Sequence, residues 1–391
     1  MNKLNIYHAC LIYCLALVFY TVYSYTQVDL NLTLSAIEIY QEFQSRLIYL
    51  GYFNRPLSAF IYVLILIFLF TAYFLFLRRS NVTSSLMKKL VYMLFPFLTI
   101  AGLFSYPAFS HDIFNYMFDA RIVTLYHLNP YTHKALDFPS DLWTRFMRWT
   151  HRTYPYGPLW LIISLPFSYA GMAKFVPTLL LFKLMFIIVY FLNVYFIYML
   201  NRTGTEKTGF RNSAFFALNP LVITETLVSP HNESIMLFFL LISLLFLLKR
   251  DSLVKSLVFL TASVFIKFAT VTLIPAYFLK DKFKNRTAFL KWLSLFLILP
   301  VLYLIIQREA YPWYFIPFIG LASLIPWGKF HHWTIMLSAG LMLRYLPFIY
   351  YGTYTDQTAQ LTNVLTFLPP AIYLIYYLFN KFPKKAPRRL K

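Results

Sequence analysis

The chain has 391 residues, of which 60% are hydrophobic and only 13% charged, and its mean hydropathy is +0.61. A soluble globular domain is about 45–50% apolar and about 25% charged, so that class is excluded and an all-α polytopic membrane protein is expected. The formal net charge of +21 does not point to nucleic acid, because Lys and Arg sit in short segments between apolar runs, the pattern that orients a membrane protein.

A spanning helix needs about 20 apolar residues. In chain order, candidates fall at 6–25, 57–77, 90–109, 177–200, 212–229, 232–249, 289–307, 313–327, 333–350 and 362–379. The first holds both cysteines, Cys10 and Cys14, four apart on one helical face. They read as small apolar residues rather than a disulfide framework or a zinc site. The same segment lacks a small-residue cleavage site and reads as a retained anchor. Basic segments at 78–89, 201–211, 249–255 and 280–291 belong on the cytoplasmic face with the tail 380–391, which also suits anionic lipid headgroups.

Parity then constrains two regions. The apolar run 254–279, interrupted by Lys267, must go out and return as two short helices with Lys267 at the outer apex. The segment 110–176 must begin and end outside, so 158–172, short and carrying Pro166, lies along or re-enters the outer surface. The expectation is a single domain, 1–391, with about 12 crossings (range about 10–13) and both termini cytoplasmic. It carries one structured extracytoplasmic loop, 110–176, and juxtamembrane helices. No internal repeat is visible.

In this topology the polar residues gather at the outer face. If 110–122 is helical, Asp112, Asn115, Tyr116 and Asp119 share one face, just after His111. That face is either the solvated start of a surface helix or an acidic working face. "LNPY" (128–131) and "YPYGPLW" (154–160, with Tyr156) are rigid aromatic turns, either an ordinary loop or the wall of a site. "VSPHNES" (228–234) brings His231, Asn232 and Glu233, with Glu225 just before it; a histidine at a helix boundary is more often structural than catalytic. An ammonium at Lys267, between apolar helices, needs water or an anion. "QREAYPWYF" (307–315) adds Arg308, Glu309, Trp313 and Tyr314. Lys183 lies just below the outer surface, and Arg344 lies deeper, paired or snorkelling.

Acids and cations at the edge of lipid suit an anionic, lipid-linked substrate. Asp112 would take a proton from an acceptor hydroxyl, while Lys267 and Arg308 hold a leaving phosphate. The apolar flank would accommodate an isoprenoid chain. Neither a Walker loop nor a strand-linked GxGxxG is present, so no nucleotide donor is implied. No cofactor is firmly implied, and a divalent metal is unsupported. The competing class is a transporter or flippase of a lipid-linked sugar, which would more often carry polar residues near the bilayer midplane on broken helices in two related halves.

The pieces "HDIFNYMFDARI", "LNPY", "YPYGPL", "LNPLVITETLVSPHNESIM", "SVFIKFATVTLIP" and "YPWYF" occur in that order over roughly residues 105–320. In this the chain resembles the GT-C membrane glycosyltransferases, and among them the bacterial polyprenyl-phosphate-mannose-dependent mannosyltransferases. The resemblance implies a catalytic acid at the start of the first large outer loop, Asp112, with Asp119 next in line. It also implies that 158–172 lies on the outer surface and that transfer inverts the anomeric carbon, a β-linked donor giving an α-mannoside. Relatives often carry His-Asn-Asp where this chain has His231, Asn232 and Glu233, and the N-terminal part falls outside the resemblance. The expected protein is an inverting glycosyltransferase of the cell membrane. It would move a hexose, mannose first, from a polyprenyl-phosphate donor to a hydroxyl of a glycolipid or glycan acceptor on the extracytoplasmic face. Asp112 would be the base and Lys267 and Arg308 the phosphate ligands. His111, Tyr116, Tyr156, His231, Asn232, Glu233, Trp313 and Tyr314 would surround the substrates.

Overall fold

The described residues, 4–78, 84–202 and 206–381 of a computed structural model, form helices and the turns between them; they contain no strand and one isolated antiparallel bridge, Lys134 to Thr153. Most of the basic tail 380–391, and parts of the basic segments 78–89 and 201–211, lie outside the described residues. Among the described residues, five helices are long and apolar enough to cross a membrane: Ile6–Gln27, Arg55–Leu77, Phe175–Asn201, Arg286–Gln307 and Asp356–Asn380. A sixth is added if Pro220–Val228 and Glu233–Lys249, bent by 112°, count as one span. Phe19, Phe60, Ile67, Ile306, Ile372 and Phe379 stand exposed on these helices, as befits a surface whose solvent is lipid. The chain is a polytopic, all-helical membrane protein.

The other apolar runs fold as shorter or broken helices, and several expected boundaries are corrected. The run 90–109 ends as a helix at Phe104. The run 212–229 is divided at Leu218 and Asn219, between Glu206–Ala217 and Pro220–Ile223, and continues as a π-helical turn, Thr224–Val228. The run 313–327 shortens to Pro312–Ala322, and 333–350 splits at Arg344 into Lys329–Leu343 and Leu346–Tyr351. Proline accounts for two of these breaks. Pro220 and Pro347 each sit at the start of the next helical piece, where a missing amide hydrogen costs nothing but cannot continue the helix before it. The run 254–279 does break at Lys267, whose extended backbone (φ −155, ψ 130) separates Leu253–Ile266 from Phe268–Leu273. The piece 158–172 is the helix Pro158–Ala170, roughly 20 Å long at 1.5 Å per residue and so shorter than the hydrocarbon core.

Helix ends inside an apolar body leave carbonyls that lipid cannot satisfy, at several kcal/mol each. Here long side chains reach them. Tyr73, Tyr190 and Tyr13 donate to the carbonyls of Phe215 (2.6 Å), Ala217 (2.5 Å) and Leu218 (2.6 Å), covering the break before Pro220. Tyr62 donates to Met342 (2.8 Å) at the end of Lys329–Leu343. The Lys183 ammonium donates to the carbonyls of Gly102 (3.0 Å) and Ser105 (2.5 Å), where Ser84–Phe104 stops.

Two regions outside the long helices position the site. The stretch 26–56, which no apolar run marks, contains the helix Glu38–Ile48 and a π-helical turn, Tyr49–Phe53. Asp29 ties it to the large loop through Arg148 (2.9 Å). The large loop has its own apolar core, with Ile113, Phe114, Met117, Phe118 and Trp160 buried together. Its two turn motifs bind each other: Tyr154 N donates to Pro130 O (2.9 Å), and the Tyr131 hydroxyl donates to Tyr156 O (3.1 Å).

Candidate functional site

The helix Asp112–Thr124 begins directly after His111. Asp112, Asn115, Tyr116 and Asp119 are all buried. Asp112 occupies the first turn, where free backbone amides favour a carboxylate. Asp119 lies two turns on, roughly 10.5 Å along the axis. Asn115 donates to Trp149 O (3.3 Å), and its own amide oxygen has no partner. Burial pushes the Asp119 carboxyl up to about 8; Arg152 opposes the shift and the Asp112 charge adds to it. Asp119 is therefore mostly protonated near neutrality, which leaves few of its carboxylates free to accept a proton there. His111 packs elsewhere, edge-on to Tyr106 (6.0 Å) and Phe114 (5.4 Å). Burial first, and the Arg148 cation second, lower its pKa to about 4, so its ring is neutral at pH 7.

Facing this helix is the π-helical turn Thr224–Val228 with the residues that follow it. Glu225 Oε1 accepts from the Tyr345 hydroxyl (2.8 Å). Its Oε2 lies 3.2 Å from His231 Nδ1, a charge contact out of line for a hydrogen bond. The His231 ring stacks on Trp313 (4.1 Å, 12°), and Trp313 stacks on Tyr311 (4.6 Å, 6°). Asn232 N reaches the Tyr116 hydroxyl (3.5 Å), joining the turn to the acidic helix. Glu233 forms an ion pair with Lys267. The Lys267 ammonium lies over the rings of Tyr156 (5.8 Å) and Tyr314 (5.4 Å), within cation–π range. Gly157 N donates to Ile266 O (3.2 Å), so the Tyr156 turn is pinned beside Lys267.

Five segments thus meet: the acidic helix, the turn at 154–157, residues 225–233, Lys267, and 311–314. Asp112 is within electrostatic range of Tyr156, His231, Tyr311 and Tyr314. Between them lie buried polar atoms without a hydrogen-bond partner: Glu225 Oε2, both ring nitrogens of His231, both side-chain amide atoms of Asn232, and Glu233 Oε2. Each such atom costs about 1–3 kcal/mol if left bare, so the cluster suits a polar guest or water. Among the described residues no three His, Cys, Asp or Glu side chains gather as a metal site.

Other expected residues stand apart. Arg308 is exposed at the end of Arg286–Gln307 and makes no ion pair among the described residues; Tyr311 and Tyr314 feel its charge. Arg344 pairs with Glu309, which also accepts from Tyr354. Lys183 belongs to the end of Ser84–Phe104 and not to this cluster. Sequence reasoning missed Tyr311 and Tyr345. Tyr311 sat unremarked inside "QREAYPWYF", whereas no local pattern marks Tyr345.

A family model described as "Alpha-(1->6)-mannopyranosyltransferase, N-terminal domain", of the MptA_B family, matches residues 34–280. The matched stretch takes in Asp112, Glu225, His231 and Lys267, and it ends before Arg308 and Trp313. No curated protein and no solved structure matches the chain.

Proposed function

The chain belongs to the MptA_B family of alpha-(1->6)-mannopyranosyltransferases, and from that premise we propose an inverting mannosyltransferase that uses a polyprenyl-phosphate mannose donor at the extracytoplasmic face. The observation that carries this reading is the gathering of Asp112 and the Lys267–Glu233 pair around His231 and Asn232, whose ring and amide atoms have no partner. A direct displacement needs both a base and a cation to hold the phosphate.

Asp112 accepts the proton of an acceptor hydroxyl as that oxygen bonds to the anomeric carbon. The bond from that carbon to the phosphate oxygen breaks on the far side, and its electron pair leaves with the phosphate. Lys267, steadied by Glu233, takes up the charge there, with Arg308 as the outer cation. The stacked rings of Trp313 and Tyr311 offer their edges to the sugar, and the groups on Asn232, Glu233 and His231 meet its hydroxyls. The proton on Asp112 returns to solvent. The acceptor is a hydroxyl of a glycolipid or glycan. The topology that goes with this reading has about 12 crossings, cytoplasmic termini and the basic tail inside, with the shorter helices supplying the remaining crossings.

The test is transfer by the purified full chain in lipid nanodiscs, with polyprenyl-phosphate mannose as donor and extracted envelope glycolipids as acceptors. Product carrying one added hexose, with the donor consumed, is expected. Movement of intact donor across a vesicle membrane with no product would overturn the reading in favour of a flippase. Sidedness is tested with Ser140→Cys and Lys174→Cys, singly, in a background lacking Cys10 and Cys14. Both should react with an impermeant thiol reagent in intact cells. Labelling at 140 alone would mean that 158–172 crosses the bilayer.

A further inference from the structure

Glu225 organises this centre without being one of the groups expected to touch substrate. It is fully buried in the π-helical turn, a distortion of the helix that frequently marks functional sites. Its backbone carbonyl accepts from His231 N (3.0 Å), and one side-chain oxygen stands 3.2 Å from His231 Nδ1. The other oxygen is held by the Tyr345 hydroxyl. The turn is fixed further by Ser229 N to Thr224 O (2.8 Å) and by the contact of Thr224 Oγ1 with the Tyr20 hydroxyl (2.8 Å). Trp313 covers one face of the imidazole. His231 is therefore held at its backbone and across its face, with the Glu225 carboxylate 3.2 Å from Nδ1 but out of line, and both Nδ1 and Nε2 are buried without a hydrogen-bond partner.

A structural histidine in a dry interior normally has both ring nitrogens satisfied, because each orphan is costly. A buried carboxylate is also costly unless it is paired. Here neither nitrogen is bonded, yet a buried acid stands beside Nδ1 and needs only a small turn of the ring to accept from it; such an acid fixes a histidine for work, since the partner of one ring nitrogen decides what the other can do. We propose that Glu225 is a positioning residue that acts through His231, keeping the proton on Nδ1 and presenting Nε2 to a substrate oxygen, of the sugar or of the phosphate. The inference rests on the glycosyl-transfer reading of the site. The charged and titratable groups around the pair are Asp112 on the acidic helix, Glu233 and its partner Lys267, Tyr20 and Tyr62 from the first two long helices, and Tyr345 with Arg344 from the C-terminal side.

The test is a double-mutant cycle of Glu225→Gln and His231→Gln, with Glu225→Asp as the conservative variant. Glutamine keeps the size of Glu225 but offers an amide, so the ring proton can move to Nε2. In the otherwise native chain, Glu225→Gln should lower kcat by about tenfold or more, toward the about 10⁴-fold loss that follows when a histidine loses its orienting carboxylate. KM for the donor should change little, and the acidic limb of the pH profile should move to lower pH. Glu225→Asp should recover part of the rate. In the His231→Gln background, Glu225→Gln should cost nothing further. An equal loss in both backgrounds, or a lower melting temperature with full turnover by the folded fraction, overturns the proposal.

A second readout needs no activity. In ¹⁵N spectra of histidine-labelled protein in nanodiscs, His231 is identified by its loss in His231→Gln. It should carry its proton on Nδ1, and the proton should shift toward Nε2 in Glu225→Gln. A wild-type His231 bare at Nδ1 sinks the positioning role. Absence of mannose transfer by the wild type sinks the transfer reading, and the spectra still decide the role of Glu225.

Discussion

Two lysines meet the same difficulty, an ammonium placed among apolar helices, and the protein resolves it differently in each region. Lys183, inside Phe175–Asn201, is buried and spends its hydrogens on the carbonyls of Gly102 and Ser105. Lys267 sits at a helix break with its side chain 25% exposed, held by Glu233 and lying over Tyr156 and Tyr314. An ammonium has three hydrogens. Lys183 gives two of its own to backbone that would otherwise be stranded, while Lys267 gives one to a carboxylate and keeps two. The two cations differ in the bonding capacity left over after the protein has used what it needs.

The sharpest way to break this contrast is to remove the acid expected to act as base in the cluster that holds Lys267. Asp112→Asn should preserve folding and donor binding yet lower kcat by about 10²–10⁴-fold in the nanodisc assay; near-normal kcat would pass the role to Asp119. Next comes Lys267→Met, with an expected loss of about 2–4 kcal/mol in kcat/KM and partial recovery in Lys267→Arg. That variant also strands the buried Glu233, so Lys267→Met combined with Glu233→Gln is the cleaner form. Turnover restored in the double variant would reduce Lys267 to a structural partner.

Lys183→Met should do the opposite. It leaves two carbonyls bare at about 1–3 kcal/mol each, lowering the melting temperature while the folded fraction turns over normally. If both lysine variants lost the same property, the contrast would collapse. The smallest effect is expected at Asp119. Its folded pKa, about 8, lies above the ordinary 3.8. The native state therefore holds the proton more tightly, and Asp119 withdraws stability as pH rises from about 4 to about 8, after which the loss levels off. Melting curves of wild type and Asp119→Asn should diverge over that interval, the variant gaining; curves that stay parallel would show that Asp119 titrates normally.

Much of this was legible in the chain. Asp112, Tyr116 and Asp119 fall on one face because helical spacing is arithmetic, and Lys267 marks a break that its place between apolar runs suggested, although Lys183 shows that an unbroken apolar helix can carry an ammonium. The family, too, was carried by ordered motifs from "HDIF" to "YPWYF". The helix lengths were less legible. Hydropathy counts apolar residues, but Pro220 and Pro347 end helices by backbone chemistry that hydropathy does not weigh. The tyrosines were the least legible. Composition assigns 32 of them to the water–lipid boundary, whereas Tyr13, Tyr62, Tyr73 and Tyr190 work in the interior on carbonyls far away in sequence. The helix Glu38–Ile48 escaped because it is too polar for an apolar window, and the Glu225–His231 contact because a π-helical turn changes the spacing that a regular helix would give.

The bond between Gly157 N and Ile266 O is also a seam. A side-chain carbon on Gly157 would lie 2.0 Å from Phe265 O, so only a bare backbone can lie this close. The aromatic turn that carries Tyr156 and the strip that carries Lys267 therefore travel as one piece, whatever else in the molecule breathes. Any opening of the cluster along this seam would have to break that backbone bond, whereas Trp313 and Tyr311 meet only through their ring faces, a contact that can slide without a bond being cut.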